Sequence, residues 1–314
     1  MILRPLPALC VALVLLAASA ALPAQSVAHA ADAAPTGSVH TEQVDLSYYT
    51  FGARGTALPI IAVNGGPGLT HAYMTMNDFW LRVAEHRLVV FYDQRGTGAS
   101  KRLAPGASQT MDAEVADLEA LRAHLGFDRF ALLGDSFGGW IAMAYATAHP
   151  EHVAKLILSD SPGATWKTTA HVLDQVFPDI ENASDAAQKQ LGPDSEAAAR
   201  LFMHDHFMMM FYSDAHRDAY MAKAGDLGYE PAVGRALGDS IGGLDFTAAL
   251  PKFNFPTLVL NGRFDMNVAP KTAWDLAHAI PGAKLVLFEQ SGHFPSYEEP
   301  EKYRAVLEDF LNAP

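Results

Sequence analysis

The sequence predicts an α/β protein: an open, mostly parallel sheet flanked by helices, with a helical cap inserted between two of its strands. Three observations carry that reading. Short runs of β-forming apolar residues alternate with segments of helical period along most of the chain. The runs are continuously apolar instead of alternating, the pattern of strands covered on both faces. The alternation then breaks between residues 164 and 250, where strand signal fades and Met, His, Ala and Asp accumulate at helical spacing.

Element by element, the first thirty residues stand apart. Arg4 is the only charge before Asp32, the apolar segment "ALCVALVLLAASAAL" follows it, and Ala28-His29-Ala30 gives a small-x-small cleavage pattern. This is the layout of a secretory signal peptide, its apolar core shorter than the roughly 20 residues that span a bilayer. Residues 31–40, rich in Ala, Pro, Thr and Gly, are expected to be a flexible mature N-terminus. "LPIIAVNGG" (58–66) and "HRLVVFYDQRG" (86–96) predict strands. "MDAEVADLEALRAHLG" (111–126) predicts a helix, with Thr110 as its cap, acids in its first turn and Gly126 as its stop. "FALLGD" (130–135) is a strand and "FGGWIAMAYATAHP" a helix closed by Pro150. Strands follow at 153–163, 255–265 and 283–292, and "PEKYRAVLEDFLN" is the last helix. The expected organisation is therefore a signal peptide over 1–30, an α/β core from 31–163 and 251–314, and a cap over 164–250.

Composition narrows the function. The chain has 314 residues, half of them hydrophobic and 18% charged, as in an ordinary globular protein. Its formal charge of −13 and the lack of any basic cluster exclude nucleic acid and anionic membrane surfaces as expected partners. Cys10 is the only cysteine and would leave with the signal, so cysteine nucleophiles, disulfides and cysteine metal sites are all excluded from the mature chain. The product is expected to be secreted or periplasmic, with no stable membrane association after cleavage. A small molecule or short peptide is the expected partner. No nucleotide-binding fingerprint is present, and no cofactor is implied.

One motif carries chemistry. Gly134-Asp135-Ser136-Phe137-Gly138 is a G-x-S-x-G between a strand and a helix. Its glycines permit a sharp turn that presents the Ser136 hydroxyl at the carboxyl edge of the sheet. A serine hydroxyl needs a base, a group that orients the base, and donors for the oxyanion. Asp265 falls just past one predicted strand and His293 just past another, in the Ser…Asp…His order this sheet type requires. "VNGGPG" (63–68) ends an early strand, so the amides of Gly66 and Phe137 are the candidate oxyanion donors.

These segments resemble the α/β-hydrolase superfamily, and within it the proline iminopeptidase-like serine peptidases. "NGGPG" (64–68) is similar to that family's HGGPG oxyanion motif, "DQRGTGAS" (93–100) to its DQRGxGxS segment, and "GDSFGG" (134–139) to its nucleophile elbow. The resemblance covers residues 45–163 and 251–312. It implies an α/β-hydrolase fold in which Ser136 attacks, His293 shuttles the proton, Asp265 orients His293, and Gly66 with Phe137 hold the oxyanion. Asp93 and Arg95 of "DQRGTGAS" are expected to hold each other or their loop. Two departures stand out: Asn64 replaces the family's leading His, and the cap does not align. In family aminopeptidases cap acids bind the substrate's α-ammonium, which makes Asp205, Asp214, Asp226 and Glu230 the substrate-binding candidates.

The expected activity is a secreted serine aminopeptidase that releases N-terminal residues through an acyl-enzyme. A carboxylesterase or lactonase on the same three residues is the alternative. It needs no ammonium site and would use the Met- and Phe-rich stretch "FMHDHFMMMFYSDAH" (202–216) as an apolar pocket, if that stretch is not simply cap core. His204 and His206 have a His-x-His spacing, but no third ligand accompanies them and the spacing fits a helix poorly, so no metal site is expected. Ser136 argues against a dehalogenase or epoxide hydrolase, which would carry a carboxylate nucleophile. A non-catalytic binding protein on this fold is the remaining class.

Overall fold

A computed structural model describes residues 33–192, 195–225 and 228–314; the expected signal peptide and Asp226 lie outside them. Among the described residues eight strands form one sheet: β1 (Gly37–His40), β2 (Asp45–Phe51), β3 (Ile60–Val63), β4 (Val89–Tyr92), β5 (Phe130–Asp135), β6 (Val153–Ser159), β7 (Thr257–Gly262) and β8 (Lys284–Phe288). Their spatial order is β1-β2-β4-β3-β5-β6-β7-β8. β1–β2 and β2–β4 pair antiparallel, and every other pair is parallel. The first two strands correct the sequence reading. Residues 37–40 are not a flexible leader but a strand locked to β2, in register from Gly37 opposite Tyr48 to His40 opposite Asp45.

The helices are α1 (Phe79–Val83), α2 (Met111–Leu125), α3 (Gly138–Ala148), α4 (Leu173–Val176), α5 (Pro178–Leu191), α6 (Glu196–Met208), α7 (Asp214–Ala224), α8 (Pro231–Ser240), α9 (Pro270–Ala279), α10 (Pro295–Glu298) and α11 (Pro300–Asn312). Local chemistry fixes their ends. The Thr110 hydroxyl accepts from the Ala113 amide at the start of α2, and Gly126 closes that helix with φ of 64°. Proline stands at the first position of α9 and α11, where a missing N–H costs nothing.

Alternate residues of the central strands serve two different cores, which is why these strands read as unbroken apolar runs. Ile61, Val63, Leu132, Leu156 and Leu158 pack on one face with Leu118 and Leu121 of α2 and Trp140 and Ile141 of α3. Ile60, Ala62, Leu133 and Ile157 pack on the other with Trp80 of α1 and Leu307 and Phe310 of α11. α4 to α8 all lie between β6 and β7 in the chain. Met203 and Phe207 of α6, Met210 just beyond it and Tyr220 of α7 join this second core, so part of the methionine-rich stretch is packed interior. No helix of the described residues is long and apolar enough to cross a membrane.

Candidate active site

β5 lies between β3 and β6 in the middle of the sheet, and its carboxyl end turns directly into α3. Ser136 sits on that turn with φ of 51°, a left-handed conformation that few non-glycine residues adopt. The flanking glycines are there for space. A Cβ on Gly134 would lie 2.5 Å from the Gly138 carbonyl oxygen, and one on Gly138 only 2.2 Å from that of Val63. The Ser136 amide donates to Ser159 O at 2.9 Å, anchoring the turn to β6.

Asp265 follows β7, is fully buried, and is saturated with donors. Its Oδ1 accepts from the amides of Asn267 (2.9 Å) and Val268 (2.8 Å), and its Oδ2 accepts from His293 Nδ1 at 2.7 Å. Because the carboxylate accepts, Nδ1 carries the imidazole proton and Nε2 is left as the acceptor. Burial disfavours the imidazolium of His293, but the charge and hydrogen bond of Asp265 outweigh it, and the histidine pKa is raised. The His293 amide donates to Met210 O at 2.7 Å, tying its loop to the end of α6.

Ser136, His293, Gly66 and Phe137 line one cavity of about 360 Å³. The Ser136 hydroxyl makes no hydrogen bond among the described residues; His293 Nε2 instead meets Asn267 Nδ2 at 3.3 Å. The amides of Gly66 and Phe137 likewise have no protein acceptor among the described residues, which leaves them free for a ligand oxygen. The loop carrying Gly66 is held without the family's leading His. Asn64 Nδ2 donates to the carbonyls of Gly65 (3.0 Å) and Leu69 (2.9 Å), while the Gly65 amide donates to Tyr73 Oη at 2.7 Å. Tyr73 in turn donates to Asp135, the residue before Ser136, so one phenol links the loop to the serine turn. Burial pushes the Asp135 carboxyl up to about 6.

The cavity wall decides what fits. The cap contributes Trp166, Thr169, His171, Phe202, Met203, His206, Phe207, Met210 and Ile241, and among the described residues no carboxylate lines it. Asp205 on α6 pairs with His204 at 3.0 Å, away from the cavity. Asp214 is exposed and paired with Arg217 at 2.6 Å, and Glu230 is paired with Lys101 at 2.7 Å. The structure therefore brings Ser136, Asp265, His293, Gly66 and Phe137 together and leaves the three described cap acids outside. Of the two alternatives for Asp93 and Arg95, holding each other or holding the loop, the structure shows the second. Asp93 accepts from His71, Tyr49 and the Ala99 amide, whereas Arg95 clamps Asp117 through two 2.8 Å bonds.

Several residues at the site carried no assignment from sequence. Asp160 follows β6 with φ of 47°, and its carboxylate lies within 4.8 Å of the ligand atoms of Asp265 and His293. Burial, and then the charge of Asp265, drives its pKa well up, which favours its neutral form. Glu298 of α10 accepts from the amides of Gly292, Ser213 and Tyr212, joining the His293 loop to the turn before α7. Asn261 repeats the arrangement of Asn64: its Nδ2 donates to the carbonyls of Gly262 (3.0 Å) and Val268 (3.2 Å). An Asn-Gly pair at the end of each of two apolar strands is the signal that marks both loop anchors.

Known proteins give the same architecture. The family described as the alpha/beta hydrolase fold matches residues 59–300. A proline iminopeptidase of Lactobacillus helveticus is 31% identical over 276 residues, covering 84% of this chain and 93% of that protein. Among solved structures, a proline iminopeptidase of Mycobacterium smegmatis superposes with a TM-score of 0.69 at 25% identity, covering 87% of this chain and 96% of that one. A thermophilic esterase of Thermogutta terrifontis does so with a TM-score of 0.67 at 25% identity, covering 89% and 98%. With the family match running through most of the sheet and a relative 31% identical covering 84% of the chain, the chain belongs to the α/β-hydrolase superfamily, on its proline iminopeptidase-like branch.

Proposed function

We propose that the protein is a serine hydrolase that forms an acyl-enzyme on Ser136 and takes substrates with a neutral, apolar acyl group, as a carboxylesterase or lactonase does. The observation that carries this choice is the cavity wall: aromatic rings, methionine and imidazoles face Ser136, and among the described residues no carboxylate does. A peptide's free α-ammonium placed there would lose its hydration without gaining a counter-charge, a cost of several kcal/mol. A neutral acyl group loses nothing comparable and gains about 25 cal/mol for each Å² of apolar surface it buries.

In this reading Ser136 Oγ attacks the substrate carbonyl while His293 Nε2 takes its proton. Asp265 stabilises the resulting imidazolium through Nδ1, and the amides of Gly66 and Phe137 hold the oxyanion. Collapse of the tetrahedral adduct breaks the carbonyl–oxygen bond, and His293 returns the proton to the departing alkoxide. Water, activated by the same imidazole, then releases the acid and regenerates the serine. The leader over residues 1–30 supports export of the mature enzyme.

The similarity to curated proline iminopeptidases supports a second reading, an aminopeptidase in which another acid meets the ammonium. Rates on short p-nitrophenyl esters and on proline and alanine p-nitroanilides separate the two. Ester turnover exceeding anilide turnover is expected; efficient release of nitroaniline would replace the ester reading with the peptidase one. Ser136→Ala should lower either activity by at least about 10³-fold and abolish labelling by a fluorophosphonate, with the far-ultraviolet circular dichroism unchanged. Retained turnover would remove Ser136 from its role.

A further inference from the structure

Asn267 joins the cap to the imidazole through four hydrogen bonds. Its amide donates to Asp265 Oδ1 at 2.9 Å, and its carbonyl accepts from His171 Nδ1 at 2.8 Å. Its side-chain Oδ1 lies 3.1 Å from His206 Nε2, and its Nδ2 lies 3.3 Å from His293 Nε2. With His293 in its neutral form, one assignment of protons satisfies the set. His293 Nδ1 donates to Asp265, so Nε2 accepts and needs the Nδ2 donor; Oδ1 then needs the Nε2–H of His206. Burial, and then the neighbouring His171 and His293, hold the His206 pKa down to about 4, so this imidazole stays neutral across the working range.

The loop beneath is tied down by three hydrogen bonds. The Val172 amide donates to Met266 O at 2.9 Å, the Ala269 amide to Ala170 O at 2.8 Å, and the Ala170 amide to Thr272 Oγ1 at 2.8 Å. The Asn267 side chain is therefore aimed from a fixed platform. What it meets is the one lone pair His293 has for the proton of Ser136, and Ser136 makes no hydrogen bond of its own among the described residues.

We propose that Asn267 is a positioning residue that holds His293 in a resting state, and that His206 of the cap sets how firmly it does so. The inference rests on Ser136 and His293 acting as proposed above. In the resting state the amide occupies the basic nitrogen. Asn267, His206, His171 and His293 all line the cavity, so an acyl group that fills it lies against the whole relay. Shifting α6 or turning the Asn267 amide frees Nε2 for the serine proton. Esters that fill the cavity engage the base, and small ones leave it held.

Donation to Nε2 favours the neutral imidazole, so losing it raises the His293 pKa. The other ionisable groups facing that ring are Asp265, Asp135, Asp160 and His206; Asn267→Ala removes none of them, and the bond His206 loses to Oδ1 had raised its pKa, so that imidazole stays neutral. That substitution also leaves the backbone bonds of residue 267 in place. The test is the rate of fluorophosphonate labelling of Ser136 against pH, alongside titration of the ¹⁵N-labelled histidine ring by NMR. Asn267→Ala should move the acid limb and the ring titration upward by about half a pH unit or more, the worth of one weak hydrogen bond. The high-pH plateau should be several-fold faster than in the wild type. His206→Phe, which keeps the ring but frees the amide, should move both in the same direction by less. An unmoved limb, or a plateau that falls with the limb unmoved, would overturn the relay. A wild-type protein that is never labelled would instead sink the serine-hydrolase reading, and the ring titration would still report on the Asn267 bond.

Discussion

At the scale of single residues, the site is a contest over one proton. Burial pulls the His293 pKa down, and Asp265, 2.7 Å from Nδ1, pulls it up and prevails. In the proposed mechanism activity requires the neutral base, so kcat/KM should rise with pH through a midpoint above the ordinary histidine value of about 6.5. Asp265→Asn removes the charge that outweighs burial. The midpoint should therefore fall below the wild-type one, while the plateau drops by about 10⁴, as when a triad histidine loses its orienting carboxylate. A pH–rate profile of the two proteins checks both; a midpoint that stays in place would show that Asp265 does not set the basicity of His293. Ser136, Asp265 and His293 were legible because each stands just past an apolar strand in a chain order only one sheet type requires. Asn267 was not, because its part depends on what α6 brings to it, and nothing in the sequence pairs residue 206 with residue 267.

At the scale of elements, the strands were legible wherever burial on both faces made them apolar. β5 and α11 begin and end at the residues the pattern indicates, whereas β1 was missed. Its four residues alternate and carry Gly37, so only their pairing with β2 makes them a strand. α2 hides a different feature. Met111, Glu114, Leu118 and Leu121 share one face at three- and four-residue spacing, so Glu114 points into the core with the others. Neither of its carboxylate oxygens has a partner among the described residues, because Arg95 is spent on Asp117. Burial, then Asp117, pushes its pKa up to about 8. The folded state thus keeps a proton that the unfolded chain gives up near 4.5, and stability is full below that pH and declines as pH rises toward 8. Glu114→Gln removes this titration. Its melting temperature should gain on the wild type by about 2–6 °C between pH 5 and pH 8.5. Thermal melts that show a constant gap at every pH would count against a titrating Glu114.

At the scale of the whole molecule, the cap and the sheet are joined where the loops of Ser136 and His293 end, and in the proposed reading that junction decides specificity. The sequence predicts helices over residues 164–250, but not which faces of those helices look at Ser136. The resemblance to aminopeptidases drew attention to acids, and folding spends Asp214 and Glu230 on surface pairs with Arg217 and Lys101. What reaches the cavity from α6 is Phe202, Met203, His206 and Phe207, a set whose spacing of one, three and four is a helix face. The clamp that holds α6 and α7 in place comes from the other end of the chain. Glu298 accepts from Tyr212 and Ser213 with one oxygen, at 3.0 and 2.9 Å, and from Gly292 with the other, at 2.7 Å. Three amides and an acceptor-only side chain leave no room for a donor. Glu298→Gln would turn an NH₂ group toward at least one of them, costing about 1–3 kcal/mol for the unmet amide. Because that amide belongs either to the residue before His293 or to the cap turn, the damage should extend beyond stability: the melting temperature should fall by a few °C and ester kcat/KM by about tenfold or more, through misplacement of His293 against Ser136. Equal kcat/KM at a lowered melting temperature would show that the clamp serves the fold alone, and that the cap finds its seat over the serine without it.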